Sequence, residues 1–114
     1  MNSSLGTLVV HAAPPTAHVI ATGEFDLATF PAVSTQLNDA LGSGCRDFHL
    51  DLARVTFLDA TTLSVLVRLH RHVDELGGEL TIVSPAPCVR RIFRLAGLSQ
   101  MLEDTTPHRL ARQG

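Results

Sequence analysis

Short apolar runs alternate along this chain with longer segments in which apolar residues recur every three or four positions. The clearest short run is Phe48, Leu50 and Leu52, which alternate with His49 and Asp51 and predict a strand with one buried face. Strands of one sheet that are joined through helices run parallel, with right-handed crossovers. The alternation therefore predicts an α/β fold in which helices pack on a sheet.

The chain begins with two strand-like runs before any helical pattern. Residues 8–10 form the first run, residues 12–15 a turn with two prolines, and residues 18–21 a second run that ends near Gly23. Two short runs around a turn predict an antiparallel hairpin, and the prolines favour a position at the sheet edge. The sheet is therefore expected to be mixed.

Three helices are predicted, each ended by glycine. Asp26 is expected to cap the first, the second begins at residues 59–62, and Gly97 followed by Leu98 predicts a Schellman motif after the third. Pro31 falls in the first turn of the first helix, where it costs little. The expected apolar faces are Phe30, Val33, Leu37, Ala40 and Leu41 in the first helix; Leu63, Leu66, Val67, His70 and Val73 in the second; and Val89, Ile92, Phe93 and Ala96 in the third.

With a last strand at residues 80–83 the order is β-β-α-β-α-β-α, followed by a short turn at residues 99–102. We expect a single domain over residues 1–114, with a core at about 5–102 and a polar tail at 103–114. Hydrophobic residues make up 45 % of the chain, which excludes a disordered segment, and aromatic residues only 4 %, so the core is mainly aliphatic.

Charge and composition narrow the possible partners. The net charge is −2 and all nine basic residues are arginines, with no basic stripe of the kind that nucleic acid requires. The cluster Arg90, Arg91 and Arg94 is interpreted as a solvated helix face. No signal peptide and no membrane-spanning run is visible, so a cytoplasmic protein is expected, with Cys45 and Cys88 as buried reduced thiols.

The sequence offers no catalytic or metal-binding pattern. Of the six histidines, His70 and His72 lie two positions apart on a helix and point to different sides. No phosphate-binding loop or nucleophile-elbow motif occurs. We expect no metal, no cofactor and no enzymatic activity.

Three motifs occur in a fixed order. Residues 23–26 read Gly-Glu-Phe-Asp, residues 57–63 read Phe-Leu-Asp-Ala-Thr-Thr-Leu, and residues 89–98 close the domain after the glycines at 77 and 78. Together they resemble the STAS domain family, in particular the bacterial anti-sigma factor antagonists, from the first strand to about Leu102.

This resemblance implies partner switching. The antagonist would bind an anti-sigma factor of the ATPase/kinase type and release a sigma factor; the kinase would phosphorylate the start of the second long helix, and a phosphatase would reverse this. Residue by residue, Asp59 matches the family's Asp, Thr61 the phospho-acceptor and Leu63 the apolar residue, with Thr62 as second choice of acceptor. Ala60 stands where Ser is common and Thr62 where Gly is usual, so the phosphorylation motif is incomplete.

Physical reasoning supports a binding site at the same place. A helix N-terminus presents unpaired N–H groups and a partial positive charge, and a phosphate there would add about −1.5 to −2 charges. Asp26 at the end of the second strand is expected at the same sheet edge. The predicted partner-binding residues are Gly23, Glu24, Asp26, Asp59, Ala60, Thr61, Thr62 and Ser64.

Other interpretations stay open at this point. In the simplest of them, Thr61 or Thr62 is only an N-cap and Asp59 is a loop carboxylate. The domain is alternatively an unphosphorylated STAS subunit of a lipid-transport or stress-signalling assembly, or a small-ligand-binding STAS domain. A monomer or weak dimer is expected.

Overall fold

The computed structural model describes residues 5–103, so the predicted polar tail lies, apart from Glu103, outside the described residues. The elements follow the predicted order, and the short final turn is a fourth helix. Their bounds are β1 Thr7–Ala13, β2 Thr16–Phe25, α1 Phe30–Gly42, β3 Asp47–Leu58, α2 Ala60–Glu75, β4 Glu79–Val83, α3 Pro87–Leu95 and α4 Ser99–Glu103.

The four strands form one mixed sheet in the order β1-β2-β3-β4. β1 pairs with β2 antiparallel, with Ala13 opposite Thr16 beside the Pro14–Pro15 turn. β2 and β3 are parallel, as are β3 and β4. The predicted hairpin and mixed sheet are therefore confirmed.

The core lies between one face of this sheet and the helices. Phe48, Leu50 and Leu52 of β3 are buried as the alternation predicted, and Phe48 lies between Ala17 of β2 and Leu80 of β4. On the opposite face the side chains of β1 and β2 are largely exposed. This one-sided burial fixes the register, because a slip by one residue would turn every core side chain to solvent.

β3 is longer than its pattern predicted. Past Leu52 its buried residues are Val55 and Leu58, three positions apart instead of two. The pairing with β2 shifts twice over this stretch, between Ile20 and Thr22 and between Gly23 and Glu24. A bulge inserts an extra residue on one strand, which breaks the period of two and hides the strand from a pattern search.

Three helical predictions are wrong in detail. The N-cap of α1 is Thr29 and not Asp26, which instead begins the turn before the helix. The predicted face of α2 omitted the buried Val65 and Leu69; of its predicted members, Val67 is half-buried against the core and His70 is half-buried. The α1 face is as predicted, with Val33, Leu37 and Ala40 buried and Phe30 and Leu41 half-buried against the core, whereas Ala96 of the predicted α3 face is exposed.

The end of α3 confirms the predicted Schellman motif. Gly97 has a φ of +75°, the Leu98 amide donates to the Phe93 carbonyl at 2.8 Å, and the Gly97 amide donates to the Arg94 carbonyl at 3.0 Å. Both cysteines are free thiols, with Cys45 buried and Cys88 half-buried. Within residues 5–103 no helix is both long enough and apolar enough to cross a lipid bilayer.

Candidate functional site

The candidate site lies where β2 and β3 end side by side, and we call residues 23–27 and 57–64 the rim. Phe25 and Leu58 are paired at the ends of these two parallel strands. The backbone N–H of Asp59 donates to the carbonyl of Phe25 at 3.1 Å. This bond extends the hydrogen bonding between β2 and β3 by one residue beyond Leu58. Asp26 and Asp59, the next residues of the two segments, are thereby brought to the same edge of the sheet.

Asp59 begins α2 as its N-cap, so the interpretation in which Thr61 or Thr62 is the cap and Asp59 a loop carboxylate is wrong. Asp59 adopts an extended conformation, with φ −95° and ψ 177°, and its carboxylate accepts a hydrogen bond from the Thr62 amide at 2.9 Å. Its carbonyl accepts the first helical bond, from the Leu63 amide at 3.0 Å. The amides of Ala60 and Thr61 precede the intrahelical ladder and are left for water or a partner. The predicted helix N-terminus is therefore present, and two of its first-turn amides lie outside the intrahelical ladder.

The first turn of α2 presents its three small side chains differently. Ala60 is exposed, Thr61 is half-buried and Thr62 is only 3 % exposed. The Ser64 side chain is exposed and donates to the Thr61 carbonyl at 2.6 Å. The reachable hydroxyls of this turn therefore belong to Thr61 and Ser64.

Thr62 faces the core, not the rim. Its Oγ1 is buried without a hydrogen-bond partner among the described residues, and Thr62 lines a small apolar cavity together with Phe25, Leu58 and Leu66. An unpaired buried hydroxyl costs about 1–3 kcal/mol, because it gives up its bonds to water without replacing them. In the folded state this oxygen is also closed to a kinase, which disfavours Thr62 as the second-choice acceptor.

The strand-two side of the rim is shaped by Gly23, Glu24 and Asp26. Gly23 has a φ of +95°, a conformation that L side chains rarely adopt, at the point where the pairing with β3 shifts. Glu24 is exposed. The half-buried Asp26 accepts from the Ala28 amide at 2.9 Å, and its own amide donates to Thr29 Oγ1 at 3.0 Å. Asp26 therefore holds the turn that leads into α1.

Sequence reasoning missed three exposed apolar side chains at this edge. Leu5 bridges to Glu24 and is 61 % exposed; Phe57 is the ladder partner of Glu24 and is 49 % exposed; Leu27 follows Asp26 and is 70 % exposed. The only signal was Leu27, a large apolar residue in an otherwise polar turn. Apolar side chains beside polar donors are typical of protein-binding surfaces.

The described residues offer no metal centre. Within residues 5–103 no three His, Cys, Asp or Glu side chains lie close enough together to hold an ion. His18 and His49 stack across β2 and β3, with ring centroids 5.1 Å apart. The rim itself combines three carboxylates, two first-turn amides outside the intrahelical ladder and the hydroxyls of Thr61 and Ser64, which is suited to binding a partner surface.

Comparison with known proteins gives a consistent result. Residues 8–103 match the family described as "Mlab, STAS domain". The anti-sigma-B factor antagonist of Staphylococcus aureus (strain NCTC 8325 / PS 47) is 28 % identical over 80 residues, which cover 70 % of this chain and 74 % of that protein.

Solved structures show the same fold. The anti-sigma factor antagonist SpoIIAA in its unphosphorylated form superposes with a TM-score of 0.76 at 18 % identity, covering 94 % of this chain and 95 % of that one. The Bacillus cell fate determinant SpoIIAA in the phosphorylated form gives a TM-score of 0.71 at 16 % identity, with 94 % and 98 % covered.

Proposed function

Because this chain belongs to the STAS domain family, we propose that it is an anti-sigma factor antagonist, which acts by binding a protein partner and not by catalysis. The observation that supports this best is the rim, where the Asp59–Phe25 hydrogen bond fixes the start of α2 against the end of β2. A preorganised surface of this kind binds without first ordering a loop. The proposed setting is the cytoplasm, where sigma factors act, with the chain as a monomer or weak dimer.

The proposed partner is an anti-sigma factor of the ATPase/kinase type. Its surface would receive the exposed Ala60 and Ser64 and the Thr61 hydroxyl, and the free amides of Ala60 and Thr61 would donate to polar groups on it. Leu27 and Phe57 would supply apolar contact area beside these polar groups. Gly23, Glu24 and Asp26 would form the opposite side of the same contact.

We further propose that phosphorylation of Thr61 switches this binding off. The kinase would transfer the γ-phosphoryl group of ATP to Thr61 Oγ1 with release of ADP and a proton, and a phosphatase would return the hydroxyl by hydrolysis. The phosphate would find donors in the first-turn amides, so the domain would stay folded. A partner surface that fits a neutral hydroxyl would instead meet a dianion, and a loss of about 3 kcal/mol would weaken binding about 100-fold.

A specific observation favours a second candidate, an antagonist or assembly subunit that is not phosphorylated. The exposed first-turn position is Ala60, which has no hydroxyl, while Thr61 is half-buried and the Thr62 hydroxyl faces the core. In this case the rim would bind its partner permanently, within a stress-signalling or lipid-transport assembly.

One experiment separates these functions. The full chain is titrated against each ATPase-type anti-sigma factor of the source organism by calorimetry and then incubated with radiolabelled ATP. We expect binding, and label that is lost in Thr61→Ala but kept in Thr35→Ala, a control for an exposed threonine on α1. Thr61→Glu is expected to bind about tenfold more weakly, since a carboxylate carries less charge than a phosphate.

Each other outcome has a definite meaning. Label that persists in Thr61→Ala contradicts the acceptor assignment. Binding without any label in the unmodified chain supports the permanent antagonist. If none of these anti-sigma factors binds, the proposed function is wrong.

A further inference from the structure

A groove starts at the rim and runs along α2. It is lined by one face of α2 between residues 60 and 71 and by Leu98 after α3. The groove has a volume of about 440 Å³ and is open to solvent along its length. At the helical rise it extends for about 16 Å, roughly three turns.

The floor of this groove is apolar. Leu63 is 7 % exposed, and Val67 and Leu98 are half-buried, so the groove bottom consists of aliphatic carbon. Leu98 is held there by the Schellman motif, through its amide bond to the Phe93 carbonyl. The backbone that presents Leu98 to the groove is therefore held in place.

The α2 side of the groove carries two cations that have no partner among the described residues. Arg68 and Arg71 are exposed, and neither forms an ion pair or hydrogen bond with any part of the chain that the structure describes. Two of the three rim carboxylates, Asp26 and Asp59, accept hydrogen bonds from backbone amides, and the third, Glu24, is exposed on β2. Two free guanidinium groups above an aliphatic floor are complementary to carboxylates that project from an apolar surface.

We infer that the groove receives an acidic amphipathic helix of the partner protein. Its apolar face would lie on Leu63, Val67 and Leu98, and its Asp or Glu side chains would pair with Arg68 and Arg71. Ala60 and Ser64 belong both to the rim and to the start of the groove, so a partner bound at the rim extends over it. This inference rests on the proposed function and adds the chemistry of the partner.

The test is the affinity of the anti-sigma factor that binds the unmodified chain, measured by calorimetry at two salt concentrations. The variants are Arg68→Glu, Arg71→Glu and a matched charge reversal, Arg91→Glu, on the exposed side of α3 outside the groove. Far-UV circular dichroism and thermal melts establish that each variant is folded. We expect each groove variant to bind at least about tenfold more weakly, as is typical for a lost interfacial charge pair, and Arg91→Glu to bind as the unmodified chain.

An Asp- or Glu-to-Arg exchange on the partner helix is expected to restore binding to Arg71→Glu. Unchanged affinity of both groove variants would overturn the inference while leaving the proposed function intact. An equal loss in all three variants would also overturn it, because it would show general electrostatic attraction and not a groove. If Thr61→Glu weakens binding but the groove variants do not, the contact is limited to the rim.

Discussion

At the scale of single residues, Asp59 combines a structural and a functional position. Its carboxylate caps α2 through the Thr62 amide, and its backbone N–H extends the pairing of β2 with β3. The first contact depends on the side chain and the second does not. Substitution of the side chain therefore isolates the cap.

Asp59→Ala is expected to lower the free energy of unfolding by about 1 kcal/mol, the usual cost of a lost N-cap. Asp59→Asn is expected to retain most of the stability, since an amide oxygen also accepts the Thr62 hydrogen bond. Urea denaturation followed by circular dichroism measures both. An equal loss in the two variants would show that the charge and not the cap stabilises this turn.

The Thr62 side chain is expected to destabilise the fold, because its hydroxyl is buried in the apolar core. Thr62→Val removes the unpaired hydroxyl and keeps the β-branched shape, so the free energy of unfolding is expected to rise by about 1 kcal/mol. Thr35→Val on the exposed side of α1 is the matched control and is expected to be neutral. A lower melting temperature for Thr62→Val would mean that the oxygen has a partner, such as a buried water.

The sequence predicted where α2 starts but not how its first turn is oriented. Asp59, Thr61 and Thr62 are all residue types that cap helices, so the start of α2 was predictable, but the simplest interpretation gave the cap to Thr61 or Thr62 and the structure gives it to Asp59. Which threonine faces the core depends on the rotation of α2 against the sheet, and a four-residue motif contains no information about that rotation. For the same reason the buried positions Val65 and Leu69 were missed.

At the scale of elements, the helix ends determine which surfaces are presented. Gly97 adopts a φ of +75°, and no atom lies within 4 Å of the position that a Cβ would occupy. Glycine is therefore favoured here by the backbone conformation and not by a steric clash with a neighbour. Gly42, in the last turn of α1, also has open space around it but no positive φ. The two glycines therefore form a matched pair.

Gly97→Ala is expected to lower the free energy of unfolding by about 1 kcal/mol, because the left-handed conformation that glycine adopts freely is strained for alanine. Gly42→Ala is expected to be neutral or stabilising by up to about 1 kcal/mol, since alanine favours the helix. Thermal denaturation of both variants checks this. Equal effects in the two would contradict the conformational explanation.

The helices and strands could be predicted where their apolar residues recur at a regular period, and they were missed where that period breaks. The alternation of Phe48, Leu50 and Leu52 identified β3, whereas its continuation to Leu58 was concealed by two register shifts. The start of α1 was misplaced because Asp26 is a good cap residue by type, yet it holds an additional turn before the helix. Local propensity cannot distinguish a helix cap from a capped turn.

At the scale of the whole molecule, β3 contributes side chains both to the hydrophobic core and to the exposed rim. Phe48 is fully buried at the centre of the sheet, between Ala17 and Leu80, within a core cluster that includes residues from all three long helices. Phe57, on the same strand, is 49 % exposed at the rim. The order of the strands creates this division, because β3 is interior to the sheet and ends at the site.

The same substitution on the two phenylalanines is therefore expected to give opposite results. Phe48→Ala opens a cavity in the core and is expected to cost about 3–5 kcal/mol, a large part of the roughly 5–15 kcal/mol typical of a domain. Phe57→Ala is expected to cost less than about 1 kcal/mol in stability, yet to weaken partner binding by about tenfold, because an aromatic side chain at an interface contributes more than its share of the affinity.

Urea denaturation and calorimetric titration of the two variants measure both quantities. Unchanged binding by a folded Phe57→Ala would remove the strand end from the contact and leave the first turn of α2 as its centre. A large loss of stability in Phe57→Ala would instead assign Phe57 to the core. The fold keeps these roles apart because bulges end the regular alternation of β3 before the strand reaches the rim, so the last residues of β3 need not follow its inward-facing pattern.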